Sequence, residues 1–61
     1  MENREMIMRC AKTLFYAKGY DAVGVQEIVD KAGVTKPTLY YYFGSKYGLL
    51  KTLIEETFQG F

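Results

Sequence analysis

Between Ala32 and Lys36 the chain has room for only about three non-helical residues, Gly33, Val34 and Thr35, and this join restricts the fold more than any other feature. Upstream of it, Val25, Ile28, Val29 and Ala32 recur at three- and four-residue spacing, the apolar stripe of a helix some two turns long. Gly33 stops that helix, Val34 is placed to plug the corner, and Thr35 is a favoured N-cap for the next helix. Downstream, Leu39 and Phe43 are four apart and share a face, while Pro37 falls in the first turn, where a missing N–H and a fixed φ do no harm. A join this short forces the two helices to cross steeply, as in a helix-turn-helix.

Two further helices flank this pair. The first is expected to begin near Asn3, a good N-cap, and to line up Ile7, Cys10, Ala11, Leu14 and Phe15 on one face. Lys18 suits the negative end of its dipole, and Gly19 is expected to close it in the left-handed conformation. The second helix then starts from Gly24, with Glu27 placed to reach back toward its exposed amides. After a break at Gly44, Ser45 caps a fourth helix whose apolar stripe is Leu50, Leu53, Ile54, Thr57, Phe58 and Phe61. Three short helices cannot cover that whole stripe, so Phe58 and Phe61 are expected to meet something beyond residue 61 or a partner chain. The expected fold is all-α, a three-helix bundle containing a helix-turn-helix plus a fourth, linking helix, as one domain over residues 1–61.

Composition removes several classes of function. A chain of 61 residues buries only about 60% of the surface its unfolded form exposes, so everything must fit around one core. With 49% apolar and 25% charged residues it has the balance of a folded domain. The single Cys10 and the absence of His exclude an internal disulfide and a Cys/His metal cluster, and Cys10 reads as a small core residue in a reduced, intracellular setting. No apolar run is long enough to span a bilayer, and the start, with Glu2, Arg4 and Glu5, is unlike a signal peptide; a soluble, cytoplasmic protein with no membrane contact is expected.

Net charge is only +1, but its distribution is uneven: Lys31 to Lys51 holds four Lys and no acid, whereas Met1 to Asp30 holds four basic and five acidic residues. The positive half coincides with the third helix. There, Pro37 and Tyr41 lie nearly opposite Leu39, flanked by Thr38 and Tyr40, where an ordinary surface helix carries Glu, Lys and Gln. A helix entering the DNA major groove needs a capped amino terminus that approaches phosphate, short groups that reach base edges, and flanking cations. Residues 35 to 46 supply these. Thr35 and the amides behind it can bind phosphate, and Lys36 can reach phosphate or guanine. Pro37 offers an apolar contact, and Thr38 can hydrogen-bond a base or touch a thymine methyl. Any one tyrosine alone could be packing, but Tyr40, Tyr41 and Tyr42 in succession cannot all face the core; Tyr41 is assigned to bases, Tyr42 to a phosphate, and Tyr40 to neither in particular. Lys46 is placed to meet a phosphate from the start of the fourth helix, against the plainer alternative of a solvated charge; Lys31 and Lys51 read as solvated.

The run Gly19-Tyr20, Ile28, Ala32-Gly33-Val34-Thr35-Lys36-Pro37-Thr38-Leu39-Tyr40-Tyr41-Tyr42-Phe43, Ser45-Lys46 and Leu49-Leu50 resembles the signature of the tetracycline-repressor (TetR) family across nearly the whole chain. The resemblance implies a homeodomain-like DNA-binding head, linked in a full-length regulator to a ligand-sensing and dimer-forming domain that this chain does not include. It also implies a homodimer reading a near-palindromic double-stranded operator through the major groove, with repression relieved by a small molecule. Carried over by position, the implied DNA contacts are Thr35, Lys36, Pro37, Thr38, Tyr40, Tyr41, Tyr42 and Lys46, with Gln26 at the start of the second helix. Three departures stand out. Val23 and Gly24 replace the usual Thr or Ser cap, so the cap hydroxyl has no counterpart and only the backbone remains to meet a phosphate there. Val29 replaces a common Ala where the helices cross, and Gly48 is expected to loosen the start of the fourth helix, at about 1 kcal/mol relative to Ala.

Two other classes compete. A helical protein-interaction module would use the Tyr and Phe surface as a docking site. A strand-transferring enzyme with a tyrosine nucleophile would need a set of cations around the reacting phosphate, but the only arginines, Arg4 and Arg9, both sit on the first helix. No enzyme activity, metal or cofactor is expected.

Overall fold

The computed structural model describes residues 3–59, with side chains described for 3–56. Four α-helices follow one another: α1 (Asn3–Lys18), α2 (Val25–Ala32), α3 (Lys36–Phe43) and α4 (Lys46–Gln59), with a single 3₁₀ turn at Tyr20–Ala22 between α1 and α2. No strand occurs among the described residues. The 3₁₀ turn was not expected from periodicity, because three residues are too few to show any.

One core forms where the helices meet. Ile7, Ala11 and Leu14 of α1 pack with Val23, Ile28 and Val29, Leu39 of α3 and Leu49 of α4, and Met8, Phe15, Val25, Ala32, Val34, Phe43 and Leu53 close in around them. Cys10 is buried as a free thiol. Burying each Val, Leu or Ile of such a set contributes about 1.5–3 kcal/mol, which makes these few side chains decisive for so small a chain. Val23, one of the departures noted above, is sealed in this core. Val23 precedes the cap of α2 and is held by apolar packing, and Gly24 caps the helix through its backbone alone.

The α2–α3 join is built from Gly33. Its φ of 73° and ψ of 31° are left-handed, the Gly33 amide donates to the Asp30 carbonyl at 3.3 Å, and the Val34 amide donates to the Val29 carbonyl at 3.0 Å. This pair of bonds is a Schellman motif, and Val34 packs back on the core as expected. At the end of α1, Gly19 takes φ 92° with ψ 151°, so its φ is positive but the conformation is not the left-handed helical one expected. An extended ψ at positive φ turns the chain straight into the 3₁₀ turn, a backbone state open in practice only to glycine.

The structure amends the reading of α4 in two respects. Ser45 caps it as expected, its Oγ accepting from the Gly48 amide at 2.9 Å, and Gly48 has a packing role that the sequence did not signal. A Cβ there would lie 2.0 Å from the Phe43 carbonyl oxygen, so Gly48 is the residue that lets the end of α3 and the first turn of α4 touch. This close approach also sets the rotation of α4: Leu49 is fully buried and Leu53 packs on the core, whereas Leu50 is half-buried and Ile54 is 48% exposed. The inward stripe is thus turned toward Leu49 relative to the expected Leu50, Leu53, Ile54 set, with Leu53 common to both. Thr57, Phe58 and Phe61 lie outside the residues whose side chains are described.

Among the described residues, ion pairs tie α1 to α2 and to α4. Lys18 at the end of α1 pairs with Glu27 of α2, so Glu27 does not reach back to its own helix terminus. Arg4 pairs with Glu56 of α4 at 2.6 Å and lies 5.8 Å over the Phe43 ring.

Candidate nucleic-acid interface

Leu39 anchors α3 by its fully buried side chain, and that fixes what the opposite face presents. Tyr41 is 83% exposed and Tyr40 44%, Lys36 and Pro37 are exposed, and Thr38 is half-buried beside them. Tyr42 is less open at 37%; its ring meets Tyr41 edge-on at 5.2 Å and Phe43 at 6.1 Å. The Tyr42 ring thus contacts both neighbouring rings, whereas Tyr41 touches Tyr42 and otherwise projects into solvent.

The amino terminus of α3 differs in detail from a simple anion cradle. The Thr35 hydroxyl lies 3.0 Å from that of Thr38 and makes no cap bond to an amide. The Thr38 and Leu39 amides both donate to the Thr35 carbonyl, at 3.1 and 3.3 Å, and Pro37 has no N–H. Among the described donors of this first turn, the Lys36 amide and the two coupled hydroxyls remain to meet an anion. The contact couples the two hydroxyls, so a partner taken by one changes what the other can donate or accept.

Lys46 begins α4 immediately after the break that follows α3, and its ammonium sits 4.2 Å over the centre of the Tyr20 ring. Gln26 lies exposed in the first turn of α2, with its amide donating to Asp30 at 2.7 Å, so a base or phosphate contact from Gln26 has an acid close by. Lys31 and Lys51 are exposed. Two tyrosines were missed by sequence reasoning. Tyr20 carries Lys46, and Tyr47, 65% exposed, adds a phenol to the first turn of α4 next to it. Tyr47 was detectable once Ser45 was taken as the cap, because the residue two after a cap lies in the exposed first turn; nothing in the sequence signals a pairing of Tyr20 with Lys46, 26 residues apart.

An apolar groove of about 410 Å³ runs between α1 and α4, lined mainly by Phe15, Tyr16, Leu50, Leu53 and Ile54 and bordered by the same Tyr20. Among the described residues no cluster of His, Cys, Asp or Glu could hold a metal ion, and no helix is long and apolar enough to cross a membrane.

Residues 7–53 match the family model described as bacterial regulatory proteins, tetR family. The HTH-type transcriptional repressor BdcR of Escherichia coli K12 is 46% identical over 52 residues, 85% of this chain and 26% of that protein. The HTH-type transcriptional activator FasR of Mycolicibacterium smegmatis is 41% identical over 54 residues, 88% of this chain and 25% of that protein. The probable HTH-type transcriptional regulator YttP of Bacillus subtilis is 33% identical over 61 residues, all of this chain and 30% of that protein. No solved structure matches the chain. The chain therefore spans between a quarter and a third of the length of these relatives.

Proposed function

The chain belongs to the tetR family of bacterial regulatory proteins, and from that premise we propose that it is a sequence-reading head for double-stranded DNA, with α3 in the major groove. The observation that carries this reading is the outward face of α3. Pro37, Tyr40 and Tyr41 are exposed where they add nothing to the core, and the stretch Lys31 to Lys51 around them contains no acid. Thr35, Lys36, Tyr42 and Lys46 then position the helix on phosphates, while Pro37, Thr38 and Tyr41 select bases and Tyr40 borders both. Gln26 is the weakest member of the set, because Asp30 holds its amide.

In the full-length regulator the head works as one of a pair on a near-palindromic operator, in the bacterial cytoplasm, and the dimer and any ligand switch reside in the portion of the relatives' length that this chain does not span. BdcR is named a repressor and FasR an activator, though both share this head. The sign of regulation therefore lies outside α2 and α3; repression is the reading that the family resemblance implies for the full-length regulator.

Selection from a pool of random duplexes, repeated at rising salt, tests the reading. It should enrich a half-site, with binding that falls linearly on a log–log salt plot at about 0.9 per phosphate contacted. A full operator should carry two half-sites about one helical turn apart or a multiple of that. No enrichment, with binding indifferent to salt, would refute it. The α1–α4 groove favours a second surface, for protein docking, whose occupancy would be salt-indifferent.

A further inference from the structure

Three cations of the described chain meet a named partner in another element, and they do so in two different ways. Lys18 is neutralised by Glu27, and Arg4 is paired with Glu56, whereas Lys46 rests on the face of Tyr20 and has no carboxylate partner among the described residues. A ring face holds a cation through its quadrupole without cancelling its charge. Lys46 is thus fixed in place while its full charge stays available.

Tyr20 is itself immobilised. Its ring packs on Phe15 of α1 at 5.3 Å, and its carbonyl accepts from the Val23 amide at 3.3 Å within the 3₁₀ turn. The sequence Phe15, Tyr20, Lys46 therefore forms a stack that starts on the core-packed face of α1 and ends in an ammonium at the start of α4, next to the recognition helix. An ammonium has three donors, so the ring occupies one side and leaves N–H groups for a phosphate oxygen. A lysine side chain normally surrenders much of its rotamer freedom when it docks, and a lysine held beforehand surrenders less.

We infer that Tyr20 is a positioning residue for DNA binding, a platform that pre-organises the Lys46 ammonium for a backbone phosphate. The inference rests on the proposed DNA-reading function and adds to it a residue that makes no DNA contact of its own.

The test uses this chain with a mixed-sequence duplex of about 20 base pairs, long enough for two half-sites, because a phosphate contact must register on any sequence. Tyr20→Leu removes the ring face while keeping an apolar side chain, and should weaken binding about two- to five-fold. Tyr20→Phe keeps the ring and should restore wild-type affinity. In a Lys46→Gln background, which itself should bind more weakly, Tyr20→Leu should change nothing further. In the unmodified protein, NMR should show the Lys46 side-chain methylene protons shifted upfield by the ring, both free and on the duplex; this readout does not depend on any variant folding.

An equal loss from Tyr20→Leu in both backgrounds would make Tyr20 merely structural and overturn the inference, as would no loss in either, or no loss from Lys46→Gln. Disappearance of the upfield shift on DNA would show that the ring competes with phosphate, and would overturn it too. In all these cases steep salt dependence of the wild-type protein would leave the DNA-reading function standing. Salt-indifferent binding by the wild-type protein would remove both.

Discussion

Tyr41 and Leu39 are two positions apart on one helix, one standing in solvent and the other sealed in the core, and the proposed division between recognition and folding runs between them. Tyr41→Ala should therefore leave stability within about 1 kcal/mol, the order of its edge-on ring packing with Tyr42, yet relax base preference in a duplex competition assay. Lys46→Ala should act differently, lowering affinity about evenly across sequences and making the log–log salt slope shallower by about 1. The positions were legible in the sequence, because a helical wheel places Tyr41 outward and the Ser45 cap places Lys46 at a helix start. It could not show that Lys46 stands on Tyr20 or that Thr35 bonds Thr38, since both depend on how elements meet and on which of several partners a hydroxyl takes.

At the scale of the element, glycines with similar propensities have opposite meanings. Gly48→Ala improves intrinsic helix propensity, but the added Cβ would strike the Phe43 carbonyl, so urea denaturation should show a loss of about 1–3 kcal/mol. Gly24→Ser meets nothing within 4 Å and gains a cap hydroxyl, so the same assay should show a gain of a few tenths of a kcal/mol. The helix boundaries and the Gly33 corner were legible because caps and stops are local signals. The rotation of α4 was not: Leu49, Leu50, Leu53 and Ile54 are all apolar, periodicity allows more than one inward stripe, and the close approach at Gly48 selects the one containing Leu49. Likewise Glu27 could serve its own helix end or Lys18, and the packing of α1 against α2 decided for Lys18.

For the molecule as a whole, one small core supports everything, and α3 depends on it through Leu39. Leu39→Ala should cost about 2–5 kcal/mol, a large share of the stability of a 61-residue domain, and DNA binding should fall in step with the folded fraction seen by circular dichroism. With a net charge of only +1, the proposed attraction to DNA rests on where the lysines stand, not on how many there are. The affinity of a single head should accordingly be modest, with a full operator needing two. The most direct measurement is the affinity of this chain for its selected duplex and for a scrambled one, each followed across a range of salt. The two lines should fall steeply and in parallel, with the selected duplex bound more tightly throughout; flat lines, or lines that coincide, would contradict a head that reads sequence through α3 while holding phosphates at its edges.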